Sequence, residues 1–486
     1  TFPAISIRTA PRTWVMGVGD GDAEYMCAHR IEVTNVSLVP RFCRTFDDAD
    51  EALDAKSLAV VRRKFAKPTP IQAVAWPLLR GDRDIVAIAE TGSGKTLAFA
   101  LPIIRRVADA GVQPTQCCAG LIMAPTRELA KQIHGEVLPF AGAHAGMRAV
   151  CCYGGTDIRR DLESIAQGVH LLVSTPGRLI LLVQRHPWLL GEARTVVLDE
   201  ADRMLDMGFE PQVREIFQAL PAGRRTLLFS ATWPAAVRAL AADFLDSPVH
   251  VSIGQGACGE DPVAVRTVEQ RVEVLGEADK PGRLRAILRD REALAGSAEA
   301  RALVFVNTKA GCAALARDLS AEGFGGVDCI HGDRPQHERE GALEGFARGA
   351  SQVLVATDVA ARGIDVADIP LVVNYDFPMA LGGQGVEDYV HRIGRTGRAE
   401  ASGLAISLFD RSADAKLAHG LVRLLEGAGQ PVPAELRALD TGAPLLSARQ
   451  KRRGGLAGSQ VQKRPEAPTS AGRGAGRAGK HARFRR

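Results

Sequence analysis

Apolar residues fall along this chain in short runs, separated by stretches long enough for helices with one apolar face. Val86–Ala89, Gly120–Met123, Ala149–Cys152, Leu171–Val173, Val196–Leu198 and Thr226–Phe229 read as short buried strands. The pattern breaks at Gly254–Pro262 (GQGACGEDP), whose composition predicts a flexible linker. It restarts with Val268–Val274, Ala302–Phe305, Val327–Ile330, Val353–Ala356, Leu371–Asn374 and Gly403–Phe409. Strands alternating with helix-length segments predict parallel sheets with helices on both faces. The expected layout is a weakly ordered extension over 1–45, a domain over 46–253, a linker over 254–263, a domain over 264–438 and a tail over 439–486. Within the extension, Ile31–Val33 reads as a short strand and Val39–Arg41 as a loop leading to Phe46.

Length and composition agree with this layout. A chain of 486 residues suits two to four domains, and 46% apolar with 24% charged residues is an ordinary soluble globular balance. No run approaches the roughly 18 apolar residues of a membrane span, so no membrane partner is expected. Nine cysteines form no C-x-x-C pair, which predicts buried free thiols in a reducing compartment, not a disulfide framework. The chain opens on Thr1, so an initiator Met is expected upstream and targeting signals at that end are left open. From Ser447 to Arg486, twelve Lys/Arg against one acid, Glu466, give +11; taken from the total of +5, this leaves −6 for the remainder. A mildly acidic body therefore carries a basic tail rich in Gly, Arg, Ser and Ala, expected to be disordered.

Candidate chemistry starts at Ala89–Thr96, AETGSGKT. It follows one strand-like run and precedes a helix-like one, the context of a phosphate-binding loop. Gly92 and Gly94 let backbone N–H groups approach phosphate oxygens. Lys95 offers a charge to the β- and γ-phosphates, and Thr96 a hydroxyl to Mg²⁺. About a hundred residues on, the run Thr195–Leu198 ends in Asp199-Glu200-Ala201-Asp202. Asp199 suits the metal, mostly through water, and Glu200 suits orienting and deprotonating the attacking water. The hydroxyls of Ser230 and Thr232, closing the next strand, are expected to bond Asp202 and couple the site to whatever moves.

Taken with these motifs, the chain resembles a DEAD-box RNA helicase of superfamily 2 over about residues 46–435. The motifs stand in order: Pro68–Gln72, AETGSGKT, Pro125–Ala130, Gly154-Gly155, Thr175–Arg178, Asp199–Asp202, Ser230–Thr232, Val304–Thr308, His331–Asp333, Ala356–Asp365 and His391–Arg398. The resemblance implies two tandem RecA-like domains, each a parallel sheet flanked by helices, with ATP and Mg2+ as ligands. It implies that Thr91, Gly92, Ser93, Gly94, Lys95 and Thr96 hold the nucleotide, that Gln72 reads adenine and that Asp365 contacts the ribose. Phe46 lies where an aromatic would stack on the base, though by spacing it is equally a core residue. Arg395 and Arg398 match arginine fingers, so a complete site requires the lobes to close. RNA contacts are implied at Arg127, Gly155, Thr175 and Arg178 in the first domain and at Arg339, Thr357 and Arg362 in the second. These suit sequence-independent phosphate and 2′-OH contacts, with local, non-processive unwinding as the outcome.

Ala73–Pro77 and Leu417–Pro433 are similar to nucleolar helicases that assist large ribosomal subunit assembly. That implies pre-ribosomal particles as partners, a nuclear or nucleolar location (otherwise cytoplasmic) and a monomeric core. Residues 379–386 are longer than the family's usual connection and predict a surface loop just ahead of the arginine fingers. The tail, with Lys451–Arg453, reads as an RNA-binding arm and nuclear localisation signal, or as a solubilising end. Two other functions stay open: an ATP-gated RNA clamp, against which intact Glu200, Arg395 and Arg398 argue, and a DNA helicase of the same superfamily.

Overall fold

The computed structural model describes residues 20–90, 92–111, 115–254, 268–291, 293, 301–358, 369–379, 385–397 and 403–442. The tail beyond Gly442 and nearly all of the expected linker lie outside the described residues.

The first lobe is built on β1 (Ile31–Thr34), β2 (Ile85–Ile88), β3 (Gly120–Met123), β4 (Ala149–Cys152), β5 (Leu171–Ser174), β6 (Thr195–Leu198), β7 (Arg225–Ser230) and β8 (Val249–Ile253). Their order across the sheet is β1-β8-β2-β7-β6-β3-β5-β4. Every pairing is parallel except β1 on β8. The central strands are apolar throughout because both faces are covered. Ile85 and Ala87 enter the core on one face, Val86 and Ile88 that on the other. The second lobe holds β9 (Val268–Leu275), β10 (Ala302–Phe305), β11 (Val327–Ile330), β12 (Val353–Ala356), β13 (Leu371–Asn374) and β14 (Gly403–Asp410). Its order is β11-β12-β10-β13-β14-β9, all parallel.

Three expectations need correction. The extension is not weakly ordered from Asp20 onward: helix Asp20–His29 leads into β1, and Val39, Phe42 and Cys43 enter the first lobe's core. The Phe42 N–H donates to Asp22 (3.2 Å) and the Cys43 N–H to the Ala73 carbonyl (3.0 Å), so the segment is pinned by backbone as well as burial. Strand β8 was missed because His250 and Ser252 interrupt its apolar run, and it is the strand on which β1 pairs. The expected 379–386 loop is shorter than it reads, since Gly385 and Val386 already belong to helix Gly385–Ile393 and Val386 is buried; residues 380–384 lie outside the described residues.

The eight described cysteines are free. No helix among the described residues is long and apolar enough to cross a membrane.

Candidate active site

Strand order brings the first-lobe motifs together. β2, β7 and β6 are neighbours and parallel, with Ile88 opposite Ser230 and Leu198 opposite Leu228. The segments leaving their carboxyl ends therefore emerge side by side, where open α/β sheets bind ligands. Trp76 ties the flanking helices to this edge, its indole N–H donating to the Leu97 carbonyl at 3.1 Å.

The phosphate loop closes on itself. The Ser93 hydroxyl donates to the Glu90 carbonyl at 2.7 Å, and Lys95 Nζ to the Ala89 carbonyl at 2.8 Å. Gly94 has φ +89°, and a Cβ there would lie 2.6 Å from Gln72 Nε2. Only glycine meets both conditions, because its lack of a Cβ removes the left-handed penalty and the clash together. Gln72 is buried and orients the loop: its Oε1 accepts from the Thr69 N–H (3.0 Å) and its Nε2 donates to the Gly94 carbonyl (3.0 Å). Each end of the amide keeps one further bonding position. Helix Lys95–Asp109 starts at the loop, so its first N–H groups and dipole offer a place for an anion.

The carboxylates sit in the turn from β6 into helix Ala201–Asp206. Glu200 caps that helix with φ +51°, rare for a non-glycine residue. Asp199 accepts from the Glu200 N–H at 3.1 Å, and both carboxylates are buried. Burial pushes the Asp199 carboxyl up to about 7, Lys95 opposing and Glu200 reinforcing the shift. Burial also works on Asp202, but His391 and the Thr232 hydroxyl outweigh it and hold that carboxyl well below the ordinary range. Thr232 donates to Asp202 through its N–H (2.9 Å) and hydroxyl (2.7 Å). The Ser230 hydroxyl makes no hydrogen bond, so of the two expected coupling hydroxyls only Thr232 reaches Asp202.

The second lobe meets the first at these carboxylates. His391 Nε2 lies 3.4 Å from Asp202, and Asp388 pairs with buried Arg203. Both come from helix Gly385–Ile393, so the unusual connection ahead of it still delivers them. Burial disfavours the Arg203 charge, but Asp388 and Asp206 more than offset it. Arg392 clamps Asp358 through two nitrogens, with Asn307 and the Asp376 carbonyl completing its contacts. Those three partners follow β12, β10 and β13, which are neighbours. Arg395 is buried in the turn after the helix, its Nε donating to the His391 carbonyl at 3.3 Å.

The expected RNA residues divide. Arg127 packs on Gly155, where a Cβ would lie 2.2 Å from its Nη1 and where φ is +89°. Arg127 also donates to Gln336 of the second lobe at 3.4 Å. Arg339 pairs with Glu128 of the first lobe at 2.7 Å and donates to Gln336 at 3.1 Å. Arg178 is buried, held by Thr156 and, at 3.3 Å, by Asp161. It supports the loop after Gly155 and does not offer its guanidinium to solvent. Thr175 caps helix Pro176–Arg185, and Thr357 closes β12; both are buried.

A family model for the DEAD/DEAH box helicase matches residues 69–240, and one for the helicase conserved C-terminal domain matches residues 280–400. The ATP-dependent RNA helicase DBP2 of Meyerozyma guilliermondii is 43% identical over 406 residues, 83% of this chain and 70% of its own length. The chain belongs to the DEAD-box helicase family. The ATP-dependent RNA helicase-like protein DB10 of Nicotiana sylvestris is 47% identical over 373 residues, 77% of this chain and 59% of its own length. The structure of S. cerevisiae Dbp5 bound to RNA and ADP BeF3 matches with a TM-score of 0.67 at 31% identity, covering 80% of this chain and 94% of that one. The two lobes are thus the RecA-like pair of DEAD-box proteins. The chain spans 46–59% of the length of four plant relatives.

Thr91, Arg362, Asp365 and Arg398 lie outside the described residues. Phe46 is a correction: it is only 7% exposed, its ring 6.3 Å from Trp76 inside the DEAD-box core, and it cannot stack on a base without leaving that core. The exposed ring of this region is Phe65, 48% accessible at the end of helix Ala55–Lys64 and four residues before Thr69. Its position just ahead of Lys67-Pro68-Thr69 was the available signal. Phe65→Ala is expected to raise the KM for ATP roughly tenfold, a stacking loss of about 1–3 kcal/mol, with the melting temperature unchanged. Phe46→Ala should instead cost about 3–5 kcal/mol of stability. Nucleotide titration and thermal melts of both variants check the pair; an unaltered KM in the Phe65 variant would show that this ring does not stack on the base. Glu128, Arg203, Gln336 and Asp388 were also missed, because the contact that marks each of them is made with the opposite lobe.

Proposed function

We propose that this chain is an RNA-stimulated ATPase that closes its two lobes on ATP and one RNA strand and unwinds short duplexes locally. The observation carrying this reading is the joint at Asp202, where the carboxylate run of the first lobe meets Thr232 and the second lobe's His391. A change in the nucleotide at Lys95 and Glu200 is thereby felt at the lobe boundary. In hydrolysis Glu200 takes a proton from the water attacking the γ-phosphorus, and the bond to the β-phosphate oxygen breaks.

Mg2+ fits the residues present. Asp199 is a buried carboxylate beside Glu200 at the carboxyl end of β6, where a divalent cation would compensate the negative charge that burial disfavours. No group of three or more His, Cys, Asp or Glu able to hold a metal occurs among the described residues. Thr96 and Asp199 would hold it, and it would neutralise charge on the β- and γ-phosphates.

ATP hydrolysis with and without single-stranded RNA, alongside displacement of a short duplex, tests the reading. RNA-stimulated turnover with strand release is expected. ATP-dependent retention of RNA without turnover would establish the clamp instead. Ribosome assembly is the proposed setting, supported by the similarity at Ala73–Pro77 and Leu417–Pro433, and the basic tail supports a nuclear location. A tagged full chain excluded from the nucleus would overturn that part. Deleting 447–486 should leave core ATPase activity intact. It should lower the slope of log affinity against log salt by about 0.7 for each RNA phosphate that the tail neutralises. Loss of all RNA stimulation would show that the tail is essential.

A further inference from the structure

Helix Lys309–Ala321 packs its Cys312 against β11, the edge strand of the second lobe, next to Cys329. The Cys312 sulfur lies 3.5 Å from the Ile330 carbonyl and 3.3 Å from that of Val355, and Cys329 packs against the same core cluster that holds Cys312. Cys312 is fully buried, whereas Cys329 is half-buried. The Arg334 guanidinium stands 3.8 Å from the Cys329 sulfur, fixed by ion pairs to Asp328 (2.8 Å) and Glu338 (3.1 Å). An accessible sulfur beside a cation and a buried partner thiol is the arrangement of an oxidisable pair.

We propose that Cys312 and Cys329 are a reversible disulfide site, with Cys329 the sulfur first oxidised and Cys312 the resolving thiol, and that the bond weakens RNA binding by the second lobe. Four buried or half-buried thiols contrast with Cys329: burial pushes up Cys43, Cys118, Cys151 and Cys152. Cys329 is held below the ordinary thiol range by the neighbouring Cys312 thiol and by Arg334, against its own burial, while Cys312 is raised by Cys329 and by burial.

With a peroxide as oxidant, the Cys329 thiolate attacks one oxygen. An S–O bond forms, the O–O bond breaks, and the departing hydroxide takes a proton from solvent to leave as water. The sulfur is oxidised to a sulfenic acid as the peroxide is reduced. Cys312 then gives up its proton and attacks that sulfur; the S–S bond forms, the S–O bond breaks, and the hydroxyl leaves with the proton as a second water. A bonded S–S distance of about 2.05 Å is shorter than any non-bonded contact between two sulfurs, so forming the bond draws the end of β11 towards the helix. β11 runs into His331–Asp333 and then helix Gln336–Ala347, which carries Gln336 and Arg339 to Arg127 and Glu128. The disulfide stands apart from the proposed helicase reading; its effect on RNA rests on that reading.

The test uses the full chain, titrated with hydrogen peroxide, alkylated and digested with trypsin without reduction. The expected product joins peptides 310–317 and 318–339, two mass units below their sum, and disappears in Cys329→Ser and Cys312→Ala. RNA affinity should fall severalfold on oxidation, recover with dithiothreitol, and stay constant in Cys329→Ser. Arg334→Gln should slow alkylation of Cys329 relative to Cys27. Absence of the linked peptide while other cysteines oxidise overturns the proposal, as does a linked form with unchanged RNA affinity. Failure of the reduced parent to bind RNA would overturn the helicase reading and the effect on RNA with it, while the linked peptide would still establish the disulfide.

Discussion

Glu200→Gln is expected to lower RNA-stimulated ATP hydrolysis by about 10²–10⁴-fold, the usual contribution of a positioned general base. Gln keeps the shape and removes the basic oxygen, so ATP and RNA affinities should stay within about twofold of the parent. The backbone at this residue is tightly set. β6 passes into helix Ala201–Asp206 with only Asp199 and Glu200 between them, and that sharp passage puts Glu200 at φ +51°. A left-handed non-glycine residue costs about 1–3 kcal/mol and persists where the surroundings fix it. Here the Glu200 N–H is held by Asp199, and the Glu200 carbonyl accepts from Met204 at 3.0 Å, so the backbone is set from both sides. Multiple-turnover rates with saturating RNA, beside equilibrium binding of both ligands, check the expectation. A Gln variant within threefold of the parent rate would remove Glu200 from the proton transfer.

The parts of the site legible in the sequence are those that are contiguous. AETGSGKT and Asp199–Asp202 each combine a strand end, a turn and a helix start, and their chemistry needs no partner to be recognised. The strands were legible too, because burial on both faces leaves little besides apolar residues; all twelve expected runs agree with observed strands to within one residue at each end. Thr226–Phe229 sits inside the longer β7, and Val86–Ala89 is offset by one position. What stayed hidden was set by pairing across sequence. β1 was legible as the run Ile31–Val33, but its pairing with β8, about 220 residues away, was not, and β8 itself was hidden because His250 and Ser252 break its apolar run. Phe46 and Phe65 are equivalent in composition, and only tertiary packing buries one ring and leaves the other exposed. Arg178 is similar: the carboxylate of Asp161 and the Thr156 carbonyl turn a residue of exposed type into a strut. The contacts of Glu128 with Arg339 and Arg203 with Asp388 join positions 211 and 185 residues apart, and no local pattern marks either.

Arg395→Ala is expected to lower kcat by roughly 10³-fold or more, the range for a guanidinium that meets charge developing in phosphoryl transfer. The position of Arg395 in the fold supports this size. It follows helix Gly385–Ile393 by two residues, and that helix already touches Asp202 and Arg203 through His391 and Asp388. Its Nε is held by the His391 carbonyl, which fixes the direction of the side chain from the same turn that meets the first lobe. A planar fork held in this way is preorganised, and a flexible ammonium is not. Arg395→Lys should therefore recover little of the rate while keeping the charge. A structural role alone would make a different pattern: the Ala variant would melt lower, and Lys would restore both stability and activity. Single-turnover hydrolysis with bound RNA, set beside melting temperatures for the Ala and Lys variants, separates the two. Rates within about threefold of the parent in a stably folded Ala variant would leave the γ-phosphate to other cations of the second lobe.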